Sequence, residues 1–146
     1  MTARFAEGIV IDAPISVVWR VLTEPTHMRV WMGEPTMELD ISVDWRVGGT
    51  FRVRGALHGR FENRGTVLAF EPERRLCYTH LSSVSRLQDL PESYTHFDFV
   101  LKPEGEGTRL DLTLTNFPTD SIYRHLAFYW SGTLVVLKRY VESILV

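Results

Sequence analysis

One C-terminal stretch limits most strongly what this chain can fold into. Asn116-Phe117-Pro118 breaks an alternating strand, and Thr119-Asp120-Ser121 then opens a run that reaches almost to Val146, with only Gly132 against helical composition. At 1.5 Å of rise per residue, roughly 25 residues make a rod of about 37 Å, the width of a small domain. Tyr123, Leu126, Ala127, Trp130, Leu134, Leu137, Val141 and Ile144 recur at helical spacing and share one face of that rod. Laid over an antiparallel sheet, such a helix either fills the concave face or roofs a hollow.

The sheet is legible upstream. Residues 4–12 alternate as a first strand, which Asp12-Ala13-Pro14 ends; Asp is a helix cap and Pro suits a first helical turn. Val17, Val18, Trp19, Val21 and Leu22 give a short helix closed by Thr23-Glu24-Pro25, and a second is expected over 26–31, closing near Gly33. The period then changes from 3.6 to 2. Strands are expected over 37–44, from Phe51 onward, and over 65–70, 75–81, 94–102 and 109–115. Val47-Gly48-Gly49 and Glu104-Gly105-Glu106-Gly107 supply turns, because glycine accepts positive φ without a steric cost. The polar stretch 82–92 reads as a long mobile loop. Consecutive hairpins favour sequential antiparallel pairing. The expected class is therefore α+β, in the order β-α-α-β-β-β-β-β-β-α, as a single domain over residues 1–146.

Charge and composition narrow the partners. A formal charge of −2 gives no electrostatic attraction to nucleic acid or an anionic membrane. No segment approaches about 18 unbroken apolar residues, so membrane insertion is not expected either. Hydrophobic residues at 45% and charged residues at 23% are globular values, which argues against disorder. A lone Cys77 excludes an intramolecular disulfide and fits a reducing compartment. Met1-Thr2-Ala3-Arg4 does not open a secretory leader, and a cytoplasmic protein is expected.

Four pieces in order carry a resemblance. They are Ala13-Pro14 with Val18-Trp19 and Leu22-Thr23-Glu24-Pro25; Trp31 with Gly33; Val47-Gly48-Gly49 with Phe51; and Gly107-Thr108-Arg109-Leu110 leading to Trp130, Leu134 and Leu137. Together they resemble the family related to the C-terminal domain of the activator of the heat-shock-protein-90 ATPase, within the START-like (SRPBCC, birch-pollen-allergen-like) superfamily. The resemblance spans about residues 5–144. It implies a helix-grip fold: a curved antiparallel sheet of about seven strands gripping the long C-terminal helix, with a cavity between them. It also implies the superfamily's range of lipid, sterol, polyketide and plant-hormone binders, some of them cyclases or dehydratases. The chaperone activator's action depends on a separate N-terminal domain, which a chain of 146 residues is not expected to include. In the family the fifth strand often carries Trp where this chain has His80.

The residues expected to face one another across sheet and helix are Trp31, Phe51, Tyr78, Phe97, Phe99, Leu112, Tyr123, Ala127 and Trp130. Burying one large side chain stabilises by about 1.5–3 kcal/mol, so a solid core explains them as well as a lined hollow does. From Leu134 onward the helix reads as core. Tyr123 to Trp130 lie toward the end where a grip fold opens; Tyr and Trp add polar handles to apolar area, and Ala127 leaves room. His80 shares a strand face with Leu76 and Tyr78. In a cavity it can orient a carbonyl or carboxylate, or act as general acid/base near neutral pH; the alternative is a hydrogen-bonded wall histidine. Asn116 either binds ligand or satisfies its turn. Cys77, three residues from His80, should face the other side, which argues against a nucleophile pair.

His27, His58, His80, His96 and His125 are scattered singly, without metal-ligand spacing, so neither a metal nor another cofactor is expected. The favoured function is binding of a small hydrophobic molecule (lipid, polyketide or aromatic) in the sheet–helix cavity. Entry is expected between residues 82–92, the second helix around Trp31 and the front of the long helix. Two alternatives stand beside it. One is an enzyme of cyclase, dehydratase or hydrolase type using His80 with Tyr78 or Asn116; the other is a chaperone-docking protein, an analogy drawn from the resemblance. A homodimer is open on symmetry grounds.

Overall fold

A computed structural model describes residues 3–145. In chain order the elements are β1 (Phe5–Ile11), α1 (Ile15–Thr23), α2 (Pro25–Trp31), β2 (Asp40–Val43), β3 (Thr50–Ala56), β4 (Arg60–Glu71), β5 (Arg75–Ser82), β6 (Thr95–Glu104), β7 (Gly107–Thr115) and α3 (Asp120–Ile144). The strands form one curved sheet in the order β1-β7-β6-β5-β4-β3-β2, antiparallel throughout. β2 to β7 pair as consecutive hairpins, and β1 closes the row by pairing with β7. This is the helix-grip arrangement expected above. Turn chemistry fixes one corner: Gly48 holds φ at +87°, and a Cβ on Gly49 would lie 2.0 Å from the Asp44 carbonyl oxygen.

Several boundaries differ from the sequence expectation. β2 begins at Asp40 rather than Met37, because Pro35–Met37 forms one 3-10 turn and Glu38 is left-handed at φ 50°. Met37 and Leu39 still bury toward the core, which mimics a strand's alternation, but β3 supplies them no ladder partner. β4 begins at Arg60 rather than Gly65, and its register shifts between Val67 and Ala69. A bulge breaks period-2 alternation and so conceals the strand's length. α2 starts one residue early, with Pro25 in its first turn. Asp12 does not cap α1: its backbone N–H donates to Glu142 Oε2 at 2.8 Å, and the helix starts after Pro14 without a side-chain cap. Residues 82–92 contain ordered turns, with 3-10 helix at Ser83–Ser85 and at Pro91–Ser93. Ser82 Oγ accepts from the Val84 N–H in the first of these.

Thr119 caps α3, its hydroxyl accepting from the Ile122 N–H at 3.1 Å. The buried residues of α3 are Leu126, Trp130, Thr133, Leu134, Leu137 and Val141. Ile144, expected on the same face, is 40% exposed, so the apolar stripe ends one turn early. The helix also guards the free edge of β1. Lys138 Nζ donates to the Val10 carbonyl at 2.8 Å and Ser131 Oγ to the Glu7 carboxylate at 2.9 Å. An unpaired strand edge is a template for unwanted pairing, and the Lys138 ammonium occupies one carbonyl of it. Gly132 is exposed, and a Cβ there would meet nothing within 4 Å. Glycine in a helix interior is less favourable than alanine by about 1 kcal/mol, so packing within the chain does not account for it.

Candidate functional site

Strand register assembles the wall of the site. Tyr78 lies opposite Phe97, which lies opposite Leu114; Leu76 lies opposite Phe99, which lies opposite Leu112. Directly paired residues point to the same face, so these side chains form two rows under α3. Phe51 joins from two strands away. Its partner on β4 is Gly65, which has no side chain to intervene, and the Phe51 ring stacks on Tyr78 at 4.1 Å. Tyr78 in turn stacks on Phe97 at 5.3 Å, and Trp130 of α3 meets Phe97 edge-on at 5.2 Å. Trp31 reaches Trp130 from α2 at 6.1 Å, held by its indole N–H donating to the Val21 carbonyl at 2.9 Å. Trp31, Phe51, Tyr78, Phe97, Phe99, Leu112 and Trp130 are thus one buried cluster. Burial pushes the Tyr78 hydroxyl pKa up, keeping the phenol neutral.

The other candidates lie at one end of this cluster. His80 pairs with Thr95, and His96 with Thr115, which places His80 at the strand end from which the chain enters α3. Its ring is half-buried and lies 5.2 Å from Phe97. Loss of solvent pushes its pKa down to about 4; nearby His125 adds to the shift, and a bond to its own backbone opposes it. At neutral pH this imidazole is uncharged, with one N–H to donate and one lone pair to accept. With a conjugate acid that strong it is a weak base near pH 7, which shifts its chemistry from proton transfer toward hydrogen bonding. Tyr123 and Ala127 are half-buried on the inner side of α3, and Tyr123 packs edge-on against Phe117 at 5.0 Å.

Asn116 takes a different part. It is left-handed at φ 62°, and its amide Nδ2 donates to the Tyr94 carbonyl at 2.7 Å, tying the β7–α3 turn to the 82–94 segment. Cys77 is buried and its pKa is pushed up to about 11, chiefly by desolvation, so the thiol is inert at neutral pH. Among the described residues no cluster of three or more His, Cys, Asp or Glu side chains could hold a metal.

Two open surface grooves flank the fold without touching these candidates. One of about 510 Å³ lies between the β3–β4 hairpin and the Met37–Asp40 segment, lined by Arg54, Gly55, Arg60 and Phe61 among others. A second of about 440 Å³ runs along α2 and the turn after it, past Val30, Pro35 and Leu39. Two aromatic residues belong to the site region that sequence reasoning passed over. Trp45 stacks on Phe70 at 5.4 Å and donates its indole N–H to the Thr23 carbonyl at 2.6 Å. Tyr129 donates its hydroxyl to the Met32 carbonyl at 2.5 Å, fastening α3 to the end of α2. Trp45 had a signal, a large aromatic just before the Gly-Gly turn. Tyr129 had none, because its partner is a backbone carbonyl.

A family model described as "Activator of Hsp90 ATPase homolog 1-like protein" matches residues 12–142. Among solved structures, ChR145 from Cytophaga hutchinsonii superposes with a TM-score of 0.80 at 28% identity, covering 98% of this chain and 96% of that one. The Aha1 dimer from Colwellia psychrerythraea gives 0.75 at 23% identity, with 96% of each chain covered. DynU16, from the dynemicin biosynthetic locus, gives 0.73 at 21% identity over 95% of this chain and 47% of its own. No curated protein matches.

Proposed function

The chain belongs to the activator of Hsp90 ATPase homolog 1-like family, of SRPBCC type, and from that premise we propose that it binds a small hydrophobic molecule between the curved sheet and the front of α3. The ligand class is a lipid, polyketide or aromatic compound; the relation in fold to DynU16, from a biosynthetic locus, favours a small organic molecule. One observation carries the reading. Uncharged, half-buried His80 sits beside Phe97 at the same end of the aromatic cluster as half-buried Tyr123 and Ala127. An aromatic interior that ends in one neutral donor–acceptor ring suits an apolar molecule bearing a single carbonyl or carboxyl group. The ligand slides along Ala127, displaces the half-buried Tyr123 ring, packs against Trp130 and hydrogen-bonds to His80. Trp31, Phe51, Tyr78, Phe99 and Leu112 form the floor, and Asn116 holds the rim.

The weak basicity of His80 favours binding over a cyclase, dehydratase or hydrolase step. A chaperone partner rests on the family description and has no distinguishing surface residue behind it. No helix among the described residues is long and apolar enough to cross a membrane, and a cytoplasmic location belongs to the proposal. Self-association is proposed as well, since a solved protein of the same fold is a dimer.

Displacement of a hydrophobic dye, together with native mass spectrometry after gentle purification, tests the reading. The wild-type chain should carry or take up a small molecule. Ala127→Trp, which fills the front of the helix, should weaken uptake at least tenfold while leaving the circular dichroism spectrum intact. A wild-type chain that binds no dye and gains no thermal stability from fatty acids or aromatic polyketides overturns it.

A further inference from the structure

We propose that Tyr78 is a second polar anchor of the binding site, and that the ligand is an uncharged aromatic or polyketide-type molecule with a carbonyl at its leading end, not a fatty-acid anion. The inference rests on the binding reading above and narrows it, because His80 alone leaves carbonyl and carboxyl ligands equivalent. Tyr78 is 2% exposed, and its ring stacks between Phe51 at 4.1 Å and Phe97 at 5.3 Å. Polar groups buried to this degree are normally hydrogen-bonded. The Tyr78 hydroxyl is an exception: burial and, secondarily, Cys77 act on it, and no hydrogen-bond partner among the described residues does. Nor is the oxygen sealed. Among the described residues the side-chain polar atom both sealed and unpartnered is Arg52 Nε, next along the strand from buried Phe51 and so on the opposite face of the sheet. The small exposure that Tyr78 retains therefore includes its oxygen, which leaves room for an acceptor to reach it.

The two anchors select by position and by charge. Tyr78 and His80 alternate on β5, so they share a face with about 7 Å between their Cα atoms. Phe97 lies against both rings. Tyr78 is the deeper of the two, and its phenol stays protonated, so it donates and requires an acceptor. His80, half-buried and uncharged, donates or accepts and takes a second oxygen of the ligand. No buried cation waits for an anion: the buried polar residues among those described are Thr23, Ser93, Thr95, Thr108 and Thr133. The ionisable group that acts on His80 is His125, which is exposed on α3 and further disfavours a charged His80 ring. A carboxylate drawn inside would shed its hydration and meet no countercharge. A ketone gives up far less and satisfies the Tyr78 donor. A fatty acid, polar at one charged end only, leaves one anchor unmet.

Fluorescence titration at neutral pH with naphthalene probes of matched size tests this. The probes are a hydroxyacetonaphthone, the corresponding hydroxynaphthoate, and an isopropylnaphthol that lacks the carbonyl. Wild type should bind the ketone at least about 30-fold more tightly than the carboxylate. Tyr78→Phe should weaken ketone binding about tenfold and leave the isopropylnaphthol bound as well as before or better. Its melting temperature should hold or rise, because the change removes an unpaired polar group from the interior. Equal affinity of wild type for ketone and carboxylate overturns the proposal. So does a Tyr78→Phe variant that keeps full ketone affinity, or one that loses ketone and isopropylnaphthol alike and so marks Tyr78 as a packing residue. A wild-type chain that takes up the hydrophobic dye but none of the probes overturns it as well. In each of these outcomes the wild-type chain still binds dye and the ligand reading stands, whereas a wild type that binds neither dye nor probe removes both.

Discussion

The two halves of α3 are one helix in sequence and two different surfaces in the fold. From Leu134 onward the inner side is closed: Leu134 is 1% exposed and Leu137 and Val141 are 0%. This half is also tied down laterally, by Lys138 to the Val10 carbonyl, by Glu142 to the Asp12 N–H, and by Tyr140 to the His27 ring at 2.7 Å. The front half buries Leu126 and Trp130, yet leaves Tyr123 and Ala127 half-open at the end where His80 meets Phe97. The difference teaches where the fold can yield. A residue enclosed on all sides resists displacement through dense contacts, whereas an inner-face residue at a helix end can move without opening the core.

The largest expected effect tests that contrast directly. Leu137→Ala should destabilise by about 2–5 kcal/mol in urea unfolding, through lost burial and a residual cavity. Tyr123→Ala should cost clearly less. Equal losses would show that the front is as closed as the rear, and the division of the helix would fail.

A second effect concerns pH. The His80 pKa falls from the ordinary 6.5 to about 4 on folding, so between those values the unfolded chain binds more protons than the folded one. Stability therefore rises with pH through that window: it is intact above about 6.5, declines as the pH falls, and levels off near 4. The decline amounts to up to about 3 kcal/mol, discounted for the partial exposure of the ring. Urea midpoints of wild type and His80→Phe, compared from pH 4 to 7.5, measure it. A wild-type profile no steeper than the variant's would mean that the ring is solvated, and the dry character of the front would be lost.

The smallest effect lies on the opposite side of the helix. Gly132→Ala should raise monomer stability by up to about 1 kcal/mol, since alanine is the better helix former and its Cβ meets nothing in the chain. The measurement belongs at low micromolar concentration, where association does not contribute. A loss of stability there would reveal a packing role for the glycine that the front–rear comparison does not contain.

Much of the fold was legible in the residues. The alternation of Leu110, Leu112 and Leu114, the Gly48-Gly49 turn and the Thr119 cap each encode an element within a few positions of itself. Elements were misjudged where the cause was remote or the pattern ambiguous. Met37 and Leu39 alternate as a strand does, but the 3-10 turn at Pro35–Met37 and left-handed Glu38 take them off the ladder, although β3 continues to Ala56. The missing length of β4 was hidden by a bulge, whose effect is to break the alternation that would announce it. At the site, the candidate aromatics were identifiable as a set facing the helix. That Phe51 crosses β4 to stack on Tyr78 depends on Gly65 standing between them, and that pairing is a matter of register across strands.

By itself, then, the sequence determined element types, their order and the inner face of the long helix, because periodicity, caps and turns act over a few neighbouring residues. Tertiary structure alone decided that Asn116 spends its amide on Tyr94, that His80 loses its charge beside Phe97, and that Gly132 stands bare between Phe128 and Val136 on an uncovered surface. Those outcomes arise from desolvation and from contacts between residues far apart in the chain, which no local pattern specifies.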